Sequence, residues 1–181
     1  MQQQIRRWEL IGAIVIIVLG SAFHFVYEWL GNWRPAALIF AVNESTWEHL
    51  KLAFWPAIFW SLIERVRWTK TGNGIANFFI AKAVALYIMP ILIVGIFYSY
   101  TAILGDNFLI LDISSFILAV CVGQYCSYRI LSAKPLSATL RPIAMAAIII
   151  ITICFLLFTF MTPRFFLFHD PVTGGYGIPG N

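Results

Sequence analysis

Nine consecutive residues, Asn43-Glu44-Ser45-Thr46-Trp47-Glu48-His49-Leu50-Lys51, hold two carboxylates, an imidazole and an amine. Imidazole and carboxylate together can ligate a transition metal or pass a proton, whereas calcium and magnesium take oxygen almost alone. His24 and Glu28 stand four residues apart, so on a helix they share one face. His169, followed by Asp170, is the remaining histidine. A catalytic zinc uses three such ligands and keeps a position for water, which can then attack an ester or amide carbonyl. The nitrogen candidates are therefore His24, His49 and His169, with Glu44, Glu48 and Asp112 as catalytic carboxylates and Glu44 or Asp112 also able to serve as a ligand. Glu28, Asn43, Ser45, Lys51 and Asp170 would support them. Zinc suits this donor set best, with iron or manganese as alternatives. No HExxH motif is present, so spacing alone names no enzyme class.

Part of the same stretch has a plainer account. Ser45-Thr46-Trp47-Glu48 fits a capping box, in which a serine and a glutamate satisfy the first free amides of a helix. Lys51, three residues after Glu48, can be its ion-pair partner. His24 and Glu28 can simply be a hydrogen-bonded pair holding helices together. Neither capping nor ion pairing accounts for Glu44 or His49.

The elements that must position these groups are set by composition. The chain of 181 residues is 61% apolar and 11% charged, against about a quarter charged in soluble domains. Its mean hydropathy is +0.84. Segments at about 8–30, 46–66, 76–101, 108–131 and 143–161 each approximate the roughly 20 residues that cross a hydrocarbon core. Pro35 to Val42 is too short to span and predicts an interfacial or re-entrant helix, with a break at Asn43 to Ser45. The expected fold is all-α: a polytopic transmembrane bundle over 1–162, with five spanning helices plus that short one. A tail over 163–181, rich in turn formers, packs on its outer mouth. Arg6, Arg7 and the apolar run after them resemble a signal peptide, but the run extends to Leu30 and reads as an uncleaved anchor.

With the N-terminus inside, nine of the twelve bases fall on the inner side and only Arg34, Lys51 and Arg164 outside, which satisfies the positive-inside rule. Five crossings then put the C-terminus out. Glu9 and Glu64 fall on the inner side beside bases that can pair with them, and Lys82 is close enough to that side to snorkel. All three histidines and the other six acids fall in the outer half. Cys121, Cys126 and Cys154 lie in apolar runs without metal-site spacing and read as core residues. The scattered bases form no nucleic-acid face. The expected partners are membrane lipids, a further copy of the chain or another membrane subunit.

His24-Phe25-Val26-Tyr27-Glu28-Trp29, the Asn43–Lys51 stretch and Asp170-Pro171-Val172-Thr173-Gly174-Gly175-Tyr176-Gly177-Ile178 resemble the signatures of a family of small bacterial multi-pass membrane proteins of unknown function. That resemblance covers the chain end to end and implies no activity. A looser analogy is to the membrane hydrolases of the alkaline ceramidase and adiponectin-receptor type, which build zinc sites among helices; this chain has too few crossings for their fold. Three functions are expected for a multi-pass protein of the plasma (inner) membrane. The first is a metal-dependent hydrolase acting on a lipid or lipid-linked substrate at the outer leaflet. The second is a proton- or cation-coupled transporter, and the third a structural or accessory subunit.

Overall fold

In lipid a backbone must satisfy its own polar groups, so long apolar runs become helices. The computed structural model describes residues 1–70 and 75–178. Its long helices are α1 (Gln2–Trp29), α2 (Thr46–Lys70), α3 (Phe78–Leu104), α4 (Leu109–Leu131) and α5 (Leu140–Phe160). Among the described residues the only β pairing is an isolated bridge between His169 and Tyr176. Among the described residues four helices, α1, α3, α4 and α5, are long and apolar enough to cross a membrane, which is the make-up of a membrane protein.

The expected count was five, and α2 is the helix that differs. It is 25 residues long, comparable with the others, but it carries Glu48, Lys51, Glu64, Arg65 and Arg67. It is also central: Leu50, Ala53, Phe54, Trp55, Ala57 and Trp60 form the heart of the apolar core with Ile16, Met89 and Phe155. A helix enclosed by its neighbours can place charges against protein instead of lipid, so its composition need not look like that of a spanning segment.

Successive helices run in opposite directions. The first turns of α1 and α3 meet the last turns of α2 and α4 through Glu9, Lys82, Glu64 and Ser127. This end, which holds the N-terminus, is the near end. At the far end the start of α2 meets the end of α3 through Thr46 and Tyr98, 3.1 Å apart, and the end of α5 through Trp47 and Phe155. Small residues permit the tightest crossing: a methyl on Gly20 of α1 would lie 2.3 Å from the Leu52 carbonyl oxygen of α2, so the two backbones touch there.

Pro35 to Val42 does not form a membrane-length element. Arg34–Leu38 is a 3-10 turn, and Ala36, Ala37, Ala41 and Val42 are buried against the far end. The break falls where capping chemistry put it, with α2 starting at Thr46. The cysteines depart from expectation: Cys121 is exposed, and Cys126 and Cys154 are half-buried. Ser115, Ala119 and Gly123 make the buried stripe of α4, which turns Cys121 outward.

Candidate functional site

The far end gathers one of the expected groupings. His24 sits in the next-to-last turn of α1, Glu44 in the loop before α2, and His49 in the first turn of α2. Their side chains converge: His24 Nε2 lies 3.2 Å from His49 Nε2, and Glu44 Oε2 lies 3.6 Å from His24 Nε2 and 3.4 Å from His49 Nε2. All three side chains are partly open to the outside of the protein, at 31%, 44% and 32% for His24, Glu44 and His49. Contact with His24, then with His49, holds the Glu44 carboxyl well below the usual carboxylate range.

The His49 ring is fixed by its other nitrogen. Nδ1 lies 3.0 Å from the Ser45 carbonyl oxygen, which can only accept, so Nδ1 carries a hydrogen, and Nε2, facing His24 and Glu44, has a lone pair for a metal whenever the ring is neutral. Protein metal sites use the same device to orient an imidazole.

Local backbone chemistry explains why these residues arrive together. Ser45 Oγ accepts from Glu48 N at 3.4 Å, so serine caps the helix as expected. The reciprocal half of the capping box is replaced: Ser45 N donates to Asn43 Oδ1 at 2.9 Å. Glu48 instead accepts Val42 N at 3.1 Å and Lys51 Nζ at 2.7 Å, while Lys51 also donates to the Ala37 carbonyl at 2.8 Å. Lys51 is 0% and Glu48 3% exposed. This buried pair fastens segment 34–42 to α2, leaving Glu44 at the mouth beside the histidines.

The other expected site residues are placed elsewhere. Asp112, in the first turn of α4, accepts the Tyr100 hydroxyl. Glu28 is exposed on the last turn of α1, and His24 turns to His49 instead of to it. His169 packs against Tyr176, with ring centroids 5.4 Å apart. Asp170 ties the tail turn, accepting Val172 N at 3.0 Å and Thr173 Oγ1 at 2.5 Å. Asn43 Nδ2 donates to the Gly177 carbonyl at 2.7 Å, and Ile178 is buried with Tyr27, Ala37 and Val42. The chain therefore folds back onto the loop that carries Glu44.

A second polar cluster, not expected as a unit, occupies the near end. Lys82 is not at the surface: it is 2% exposed and donates to Glu9 Oε1 at 2.6 Å and to Ser127 Oγ at 3.1 Å, while also contacting Glu64. Among the described residues the ion pairs given for Glu9 and Glu64 are with this lysine. Chain separation hid the grouping, since Glu9 and Lys82 are 73 residues apart. The available signal was three ionisable residues one to two turns inside otherwise apolar helices.

No curated protein and no solved structure matches the chain. The chain matches the model of a family of unknown function, DUF6512, over residues 1–178. A match of that extent leaves no part of either polar cluster outside it, and the chain belongs to the DUF6512 family.

Proposed function

We propose that His24, His49 and Glu44 form a divalent-metal centre, with zinc favoured, on the outer side of a membrane enzyme that hydrolyses a lipid or lipid-linked substrate. One observation carries this reading: the three ligand atoms stand 3.2, 3.4 and 3.6 Å from one another. Ligands about 2.0–2.1 Å from a tetrahedral zinc are separated by about 3.3–3.4 Å, so the triangle has the dimensions of one face of such a site. Three ligands leave a fourth position, and a metal bound there would supply Lewis acidity for attack on an ester or amide. Asp112, at the same end of the bundle, is the candidate general base.

The same reading takes α2 as a fifth crossing, with the near end cytoplasmic and the far end facing out across the plasma membrane. The excess of bases toward the near end supports it. Substrate would then enter from the outer leaflet past Trp29 and Phe25, which are exposed beside His24.

The decisive experiment is elemental analysis of the purified chain after zinc, iron or manganese loading. Near-stoichiometric metal in the wild type and its loss in His49→Ala are expected. Absence of metal from well-folded wild type after loading would refute the centre. Orientation is checked by cysteine accessibility: Thr173→Cys should react with an impermeant reagent added outside, and Gln3→Cys only after permeabilisation.

A further inference from the structure

At the near end the buried charges do not balance. Glu9, Glu64 and Lys82 are 3%, 0% and 2% exposed. One ammonium therefore faces two carboxylates within protein. Ser127 Oγ donates to Glu9 Oε1 at 3.1 Å, and Gln124 Nε2 reaches the Glu9 backbone carbonyl at 3.4 Å. Glu64 Oε2 touches Lys82 as an ion pair without hydrogen-bond geometry, while Glu9 Oε2 and Glu64 Oε1 accept no hydrogen bond. The two carboxyl groups touch the same Lys82 ammonium, which makes them neighbours.

Among the described residues the ion pairs given for Glu9 and Glu64 are both with Lys82. Glu9 belongs to α1, Glu64 to α2, Lys82 to α3, and Ser127 and Gln124 to α4; α5 adds no titratable group to the cluster. Arg65 lies on the Phe78 ring at 5.7 Å, as Lys82 does, but forms no ion pair with either glutamate among the described residues. Arg67 lies over Trp8.

We propose that Glu9 and Glu64 form a proton-binding site, holding one proton between their adjacent carboxyl oxygens. A buried ionised carboxylate without its own counter-charge is far costlier than any single hydrogen bond can offset. Two carboxyls in one site cannot both ionise readily, and one keeps its proton. With one carboxyl protonated the set is neutral, and the added hydrogen gives the two unpartnered oxygens a donor to share. Uptake takes one proton from water to a carboxyl oxygen and release returns it; no bond to carbon changes. The site is independent of the far-end metal centre and goes beyond it.

The test is infrared spectroscopy of the full chain in lipid nanodiscs. A protonated carboxylic-acid band is expected at neutral pH, shifted in deuterated water, and lost in Glu64→Gln and in Glu9→Gln. A band that persists undiminished in both variants belongs to another carboxyl and overturns the proposal, as does the absence of any such band in the wild type. Should either variant fail to fold, titration of the wild type still decides. Loss of that proton at high pH would leave two buried carboxylates on one ammonium, which destabilises the fold. The melting temperature should accordingly drop on that side, unchanged between sodium and choline buffers. A melting temperature that follows sodium instead would identify a metal cation as the neutralising species and overturn the proton assignment.

Discussion

His24 Nε2 and His49 Nε2 stand 3.2 Å apart although 25 residues, a loop and a 3-10 turn separate them in the chain. Two such nitrogens at that distance need either a proton between them or a shared cation. A bound cation stabilises the fold by mass action, by about 2.7 kcal/mol when free metal is a hundred times its dissociation constant. Chelation should therefore lower the melting temperature of the wild type and leave that of His49→Ala unchanged. Equal responses of the two proteins would exclude metal from this site.

Glu44 is the acidic member of that group, and its carboxyl is held low by His24 and then His49. A depressed folded value gives stabilisation that is fully present above the ordinary glutamate range and lost as pH falls through the folded value. The Glu44 carboxylate should remain ionised in acid that protonates exposed glutamates with values of about 4.3. Carbon NMR of labelled glutamate, assigned by Glu44→Gln, measures this; a titration midpoint in the normal range would contradict the contacts.

Lys51 and Glu48 make a pair whose members are both buried. Removing one partner leaves an uncompensated charge, so Lys51→Ala should destabilise the protein by about 3–5 kcal/mol. The double change Lys51→Met with Glu48→Leu should recover much of that loss, because it removes both charges while keeping volume. Thermal unfolding in one detergent provides the comparison, and a neutral Lys51→Ala would show that the pair does not hold segment 34–42.

Gly20→Ala addresses the α1–α2 crossing. Its new methyl would stand 2.3 Å from the Leu52 carbonyl oxygen, a backbone atom that cannot swing aside. Helix separation should cost about 1–3 kcal/mol. Gly95→Ala, where a methyl meets nothing within 4 Å, is the control and should be neutral or mildly stabilising. Equal melting temperatures for the two variants would mean that the helices part without penalty.

The helices were legible in the sequence because lipid leaves a spanning backbone few alternatives, and the start of α2 at Thr46 because Ser45-Thr46-Trp47-Glu48 reads as a capping box whose serine caps the helix. The convergence of Glu44 with His24 and His49 was partly legible, since all three belong to the half of each segment facing the same side. The partners were not. His24 was as well spaced for Glu28 as for anything else, and only the crossing of α1 with α2 selects His49. Asp112 and His169 fall at the same end yet face Tyr100 and Tyr176, because depth in a membrane says nothing of rotation about a helix axis. Lys82 looked like an interfacial side chain for a related reason: whether a lysine reaches out or in depends on what stands beside it in other helices.

Asn43 holds Gly177 with one end of its amide and Ser45 with the other, so Glu44 is bracketed by bonds that involve the tail turn at Gly177. Trimming the terminus, or extending it with a purification tag, should therefore alter chemistry at a residue more than a hundred positions upstream. Protein tagged at its start and protein tagged at its end can be compared for metal occupancy. Identical values would show that the loop keeps its shape unaided.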